Sequence, residues 1–170
     1  MTAVTRRPIC PPVRPPARHD ATALAGYNTI VWGDENTVDS VNDTEAQLFI
    51  DWLNLGNRNM FITGLDIMWD MRLSSTGAKH DFYSMWGVTY LGDYSGSGIT
   101  TIDGQAGDPI TAAFASPSGL QLSGTSDASG DYVDPNQGPA SHAGIYTGGT
   151  GSGLTNGALS RYDTGTTKIV

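Results

Sequence analysis

The chain has 170 residues, a length sufficient for one domain with a hydrophobic core. Of these residues, 38% are hydrophobic, 22 are glycine and only 15% are charged. Its net charge is −8, and the 150 residues after position 20 carry 16 acidic against five basic side chains, which argues against nucleic acid and anionic lipid as partners. The sequence contains no apolar run of membrane-spanning length, and its single cysteine excludes an internal disulfide. Sparse lysine with abundant Asp, Gly, Ser and Thr favours a secreted or cell-surface location.

Residues 1–20 differ from the rest of the chain. They hold five of the nine prolines and four arginines, and they lack the apolar centre of a signal peptide. Proline at this density excludes a helix or a central strand. We therefore predict a disordered head or linker over residues 1–20 and one folded domain over residues 21–170.

The first predicted elements form a βαβ unit. Tyr27–Trp32 is a short, β-rich apolar run, and Met60–Thr63 is a second one. Between them, Asn42 and Glu45 have the spacing of a capping box at a helix start. The helix then places four apolar residues on one face: Leu48, Phe49, Trp52 and Leu53. A strand, a helix and a second strand predict a parallel pair.

The second half of the chain is richer in glycine and serine. Its predicted helices are 65–72 and 80–86, and its predicted strands are 88–91, 142–146, 157–162 and 166–170. Residues 95–138 are predicted to form loops with small edge strands. Because the chain stops within its last predicted strand, we expect a truncated domain.

These segments resemble class I glutamine amidotransferase-like domains of secreted bacterial peptidases and cell-surface proteins. The matching segments are GYNTIVW (26–32), Asp34, WLNLGN (52–57), MFITGLDI (60–67), DFY (81–83), GDPI (107–110), DYVDP (131–135) and RYDTGTTKIV (161–170). The resemblance implies an α/β fold with a mostly parallel, flavodoxin-like sheet, flanking helices and antiparallel strands near the C-terminus.

The resemblance also implies that elements are missing. Such domains begin with a strand, a helix and a second strand before the tyrosine-containing one, and this chain has the proline-rich head in their place. The strand at Ile30 would then expose a pairing edge. We expect another chain or an attached catalytic or surface module to cover that edge, unless the chain is a fragment without an independent function.

The prediction of activity depends on which residues occupy the turn Gly64-Leu65-Asp66. In true amidotransferases the turn after this strand carries the nucleophilic cysteine, with a histidine and an acid as partners. Resemblance places that position near Leu65 or Asp66, and Cys10 is too remote to substitute. The sequence therefore predicts a non-catalytic accessory domain. The alternative is an atypical hydrolase that uses Asp66 with His80 or His142.

Carboxylates at loops and turns are the other candidate site residues. Asp66 opens a predicted helix, where its side chain is expected to cap backbone amides. Asp34 and Glu35 follow the first strand and are candidate ligand-loop residues. A predicted glycine-containing loop carries three further carboxylates that are candidate calcium ligands: Asp127, Asp131 and Asp134. No other cofactor is predicted.

Overall fold

The computed structural model describes residues 21–34, 39–64, 66–93, 101–116, 119–121, 131–147 and 157–170. The predictions for the head at 1–20 and for Glu35, Leu65 and Asp127 lie outside the described residues. Within the described part, none of the helices combines the length and the hydrophobicity needed to cross a bilayer.

The described residues form nine strands and four α-helices. The strands are β1 (Thr29–Asp34), β2 (Arg58–Gly64), β3 (Val88–Asp93), β4 (Thr101–Gly104), β5 (Leu120–Gln121), β6 (Asp131–Pro135), β7 (Ala140–Thr147), β8 (Gly157–Asp163) and β9 (Thr167–Ile169). The helices are α1 (Ala21–Leu24), α2 (Asp43–Leu53), α3 (Ile67–Arg72) and α4 (Gly77–Met85), with a short 3₁₀ helix at Ala112–Phe114.

The sheet is mixed and curled, so the prediction of a mostly parallel, flavodoxin-like sheet is wrong. Its main path runs β1-β2-β9-β8-β7-β4-β5, and β6 joins β3 to β8. Only β1–β2 and β2–β9 are parallel, whereas the six other pairings are antiparallel. Parallel neighbours need long crossovers, which are usually helical. After β3 the described chain has only a 3₁₀ helix, and every strand pairing made there is antiparallel except the one between β9 and β2.

The predicted βαβ unit is confirmed. Strands β1 and β2 pair in parallel, with Val31 opposite Phe61, and α2 connects them. The capping box also forms: Asn42 Oδ1 accepts from the Glu45 amide at 3.0 Å, and Glu45 Oε2 accepts from the Asn42 amide at 3.1 Å. The predicted apolar face of α2 is buried.

Aromatic side chains form the centre of the core between the helices and the sheet. Phe49 of α2 lies 5.1 Å from Trp32 and 5.5 Å from Phe82 between ring centroids, and Phe82 lies 5.9 Å from Trp86. Phe82 is fully buried. This line of four rings joins β1, α2 and α4 into one packed layer.

A buried ion pair ties α3 to α4. Lys79 Nζ lies 2.8 Å from Asp70 Oδ2, and both side chains are less than a tenth exposed. The same carboxylate oxygen accepts from the Ser40 amide at 3.0 Å. The carboxylate of Asp70 on α3 therefore binds the segment before α2 and is itself neutralised by Lys79 of α4.

The opposite face of β1 and β2 is bare among the described residues. Val31 is 72% exposed and Phe61, its register partner, is 36% exposed, whereas Met60 and Ile62 point into the core. A parallel α/β sheet normally has helices over both faces. One covered face is a second reason why the flavodoxin-like prediction fails.

Candidate functional site

Three carboxylates meet at one end of the sheet. Asp66 follows β2, Asp93 ends β3 and Asp131 begins β6. One oxygen from each lies within 4.8 Å of one oxygen of the others. Asp93 is exposed, whereas Asp66 and Asp131 are partly buried. We call these three residues the carboxylate cluster.

A bulge in β3 brings two of the three carboxylates face to face. Tyr90 pairs with Val133, but the register shifts before Gly92, and Asp93 then pairs directly with Asp131. Without the extra residue, Gly92 would be opposite Asp131. Bulges re-aim side chains in this way. Two like charges in direct cross-strand register destabilise the pair unless something neutralises them.

The bend after β2 places the third carboxylate. A Cβ on Gly64 would lie 2.2 Å from the Asp34 carbonyl oxygen, so the close approach of β1 requires glycine there. Asp66 then adopts a left-handed conformation with φ 54° and ψ 23°, which is uncommon for a residue with a side chain. Asp34, a predicted ligand-loop residue, ends β1 beside Gly64 and lies outside the cluster.

The predicted cap of α3 comes from a different carboxylate. Asp66 occupies the N-cap position, but its side chain makes no capping hydrogen bond. Asp131 Oδ2 accepts instead from the amides of Met68, at 2.8 Å, and Trp69, at 3.2 Å. The prediction that Asp66 caps the helix is wrong because its left-handed backbone departs from the extended geometry typical of a cap.

The second oxygen of Asp131 has no such partner. Oδ1 is buried and makes no hydrogen bond to any described residue. Burial raises the pKa of Asp131 to about 6; the amides of Trp69 and Met68 oppose that rise, and the charges of Asp66 and Asp93 add to it. Burial, followed by repulsion from Asp93, also raises the pKa of Asp66. The cluster therefore favours an added positive charge or a proton.

Neighbouring side chains orient Asp93. The Tyr90 hydroxyl donates to Asp93 Oδ1 at 2.5 Å, and the Arg72 guanidinium lies 4.4 Å from the centroid of the Tyr90 ring. Burial, and then the bond to Asp93, raise the pKa of the Tyr90 phenol. Tyr90 therefore stays a neutral donor that fixes the exposed carboxylate.

A cleft of about 250 Å³ adjoins the cluster. Asp131 lines it, together with Gly64 and Met68 at the bend. Its other walls are mostly apolar and include Ile62, Trp86, Val133, Tyr146 and Val170. A small ligand in this cleft would reach the buried carboxylate from the apolar side.

The other predicted site residues lie apart from the cluster. His80 Nδ1 is 3.5 Å from Asp81, and His142 Nε2 is 3.3 Å from Asp134. Neither histidine is paired with Asp66 among the described residues. The loop prediction is wrong for 131–135, which form β6. Asp131 and Asp134 contact different neighbours: Asp131 accepts from the first turn of α3, and Asp134 lies beside His142.

Sequence reasoning missed Asp93. Its only local signal is that it ends an apolar strand, the same signal that marked Asp34 as a candidate. The bulge that turns Asp93 toward Asp131 depends on the pairing of β3 with β6, which are about forty residues apart in the sequence. Such a pairing cannot be predicted from a local sequence pattern.

Neither a protein-family model, nor a curated protein, nor a solved structure matches this chain. The resemblance to amidotransferase-like domains therefore stays a prediction.

Proposed function

We propose that this chain is a non-catalytic binding domain of a secreted or cell-surface protein that holds a divalent cation, preferentially Ca²⁺, at Asp66, Asp93 and Asp131. The observation that carries the proposal is that Asp131, whose Oδ1 is buried without a hydrogen-bond partner, lies within 4.8 Å of two further carboxylates. A buried carboxylate oxygen without a hydrogen-bond partner is costly, and a cation would neutralise all three groups together.

Three carboxylates on separate segments suit Ca²⁺, which accepts flexible coordination geometry, better than Mg²⁺, which demands a near-ideal octahedron. Oxygens bound to one Ca²⁺ at 2.3–2.6 Å can lie up to about 5 Å apart. The cluster's oxygens lie within 4.8 Å of one another. Three side-chain ligands leave coordination positions for water or for a group of a bound ligand.

A secreted or cell-surface location suits a site with few protein ligands. Extracellular calcium modules work with Kd values of about 10⁻⁴–10⁻³ M, which three carboxylates on separate segments could provide. The acidic, lysine-poor composition supports the same location. An attached catalytic or surface module is the expected partner of such a domain.

The bend after β2 supports a non-catalytic role. The position where a thiol nucleophile would stand holds leucine or aspartate, and Asp66 faces other carboxylates instead of a histidine. Glutamine hydrolysis through a thioester needs a thiolate and a general base. Among the described residues, the bend has neither.

Calcium is expected to raise the melting temperature of the chain. At 100 times Kd, binding contributes about 2.7 kcal/mol, which corresponds to roughly 5–10 °C for a domain of this size. Asp93→Asn removes one ligand charge and should weaken binding about tenfold or more. Calorimetric titration with CaCl₂ and thermal melts with CaCl₂, MgCl₂ or EDTA measure both effects.

Asp81→Asn is the matched control, because it removes a carboxylate that is 73% exposed and outside the cluster. This variant should bind Ca²⁺ like the unaltered chain. The cation proposal would be contradicted by melting temperatures that are equal in EDTA and in about 10 mM CaCl₂. Equal loss of binding in Asp81→Asn and Asp93→Asn would contradict it as well.

The pH dependence of stability gives a separate prediction. The raised pKa of Asp131 means that the folded chain binds its proton more tightly than the unfolded chain. The stability from this proton is fully present below about pH 4 and is lost as pH rises through about 6. In EDTA at pH 7, Asp131→Asn should therefore be more stable than the unaltered chain by about 1–2 kcal/mol, after allowance for partial exposure.

That advantage should shrink as the pH falls to 5, and it should reverse in CaCl₂, because the asparagine cannot supply the ligand charge. Urea titrations at pH 5 and pH 7, each with and without Ca²⁺, test the sign in all four conditions. A variant that is less stable than the unaltered chain in EDTA at pH 7 would contradict the assignment of an uncompensated charge to Asp131.

An atypical hydrolase that uses Asp66 is the second candidate, and one observation favours it. Asp131, whose pKa is raised to about 6, lines the cleft, and its carboxylate lies within 4.8 Å of that of Asp66. Model ester and glycoside substrates test this candidate. Hydrolysis that is lost in Asp66→Asn and suppressed by CaCl₂ would favour the hydrolase over the binding domain.

A further inference from the structure

Among the described residues, strand β1 ends the sheet, and no other strand pairs with its outer edge. The Asn59 amide donates to the Asn28 carbonyl at 2.9 Å, so the backbone groups of Asn28 face β2. Because the direction alternates along a strand, the N–H and C=O groups of Thr29, Val31 and Gly33 face away from β2. Among the described strands, β1 pairs with β2 alone.

Residues 29–33 of β1 lack the sequence features that usually protect an edge strand. Natural edges carry lysine, proline, a bulge or an inward-facing charge that blocks another strand. Residues 29–33 of β1 are uncharged, contain no proline and pair with β2 in unbroken register. Val31 and Phe61 are exposed next to each other on the bare face of the sheet. The edge is therefore suited to pairing with another strand.

We propose that β1 pairs antiparallel with β1 of a second copy of this chain, about a twofold axis at Val31. In this register Val31 is opposite Val31 of the other copy, and Thr29 is opposite Gly33. Every outward-facing amide of these three residues then donates to an outward-facing carbonyl. The exposed Val31 side chains of both copies then meet on the bare face, and each Phe61 lies beside the Val31 of its own copy.

Charge selects the antiparallel arrangement. Asp34, the only charged residue of β1, would lie opposite Asn28 of the second copy. There Arg58 Nη1 already donates to Asn28 Oδ1 at 2.8 Å, so a guanidinium lies beside that position. Residues 28, 34 and 58 share one face of the sheet by register. A parallel partner strand would instead place Asp34 beside Asp34.

Sedimentation of the full chain over a concentration series tests the proposal. The unaltered chain should show a monomer–dimer equilibrium. Val31→Lys places two lysines together at the axis and should raise the dimer Kd at least tenfold. Leu55→Lys adds the same charge at a residue that is 52% exposed and outside β1, and it should leave the equilibrium unchanged.

Cysteine cross-linking tests the register in a Cys10→Ser background. Opposite residues of an antiparallel hydrogen-bonded pair have Cα atoms about 5.5 Å apart, within disulfide range. Val31→Cys should therefore form a disulfide dimer, whereas Thr29→Cys, which is four residues out of register with its own copy, should not. A chain that is monomeric at every concentration overturns the proposal and leaves the edge to a strand of another protein. Equal cross-linking by Thr29→Cys also overturns it.

Discussion

Lys79→Met is expected to lower the free energy of unfolding by about 3–5 kcal/mol, because it leaves Asp70 buried without its counter-charge. The two side chains are 8% and 6% exposed, and their charged atoms are 2.8 Å apart. Asp70 also accepts a hydrogen bond from the Ser40 amide, so removing the lysine that neutralises Asp70 should also destabilise the segment before α2. Urea denaturation measures the change.

The chain offers a close control, because Lys168 is its only other lysine. Lys168 Nζ is 3.7 Å from Asp163 Oδ2 and its side chain is 48% exposed, so Lys168→Met should cost less than about 1 kcal/mol. Adding Asp70→Asn to Lys79→Met should recover part of the loss, since the asparagine carries no charge and still accepts from Ser40. Equal costs for the two lysines would refute the role of the buried pair.

Phe82→Ala is expected to cost about 3–5 kcal/mol, as large-to-small changes of buried aromatic residues do. Phe82 is fully buried and touches the rings of both Phe49 and Trp86. Its loss opens a cavity where α2 meets α4 and removes two ring contacts. A fall in the urea midpoint with an unchanged m-value would show a loss of stability within the same fold.

Phe61→Ala makes the same chemical change on the bare face of β2. Phe61 is 36% exposed, so truncation should cost about 1–2 kcal/mol, which is well below the cost at Phe82. If Phe82→Ala costs no more than Phe61→Ala, the line of aromatic rings does not form the centre of the core.

The carboxylate cluster and the core are linked through α3. Asp70 of α3 forms the buried ion pair with Lys79, and two amides in the first turn of α3 donate to Asp131. A cation at the cluster would hold the carboxylate that caps this helix. Binding is therefore expected to stabilise α3 together with the ion pair, so Ca²⁺ should offset part of the cost of Lys79→Met.

Much of the first half of the fold could be predicted because its signals are local. The capping box joins residues three apart, the apolar face of α2 repeats every three or four residues, and β1 and β2 are short apolar runs. Such patterns depend on backbone geometry within a few residues. They gave the correct βαβ unit before any long-range pairing was known.

The sheet as a whole could not be predicted in the same way. Strand β9 lies between β2 and β8, and it pairs with β2 across more than a hundred residues. The abundance of Gly, Ser, Asp and Pro over residues 95–138 predicts a loop at Asp131–Pro135, yet Val133 is buried and pairs in the sheet. Tertiary burial overrode the weak local preference.

The sequence by itself determined the βαβ unit and the buried face of α2. Only the tertiary structure decided the order of the strands, the helix cap from Asp131, and the meeting of Asp66, Asp93 and Asp131. The physical reason is range. Caps and periodicity act between neighbours along the chain, whereas a strand pairing and a shared charge site depend on which distant segments are folded against each other.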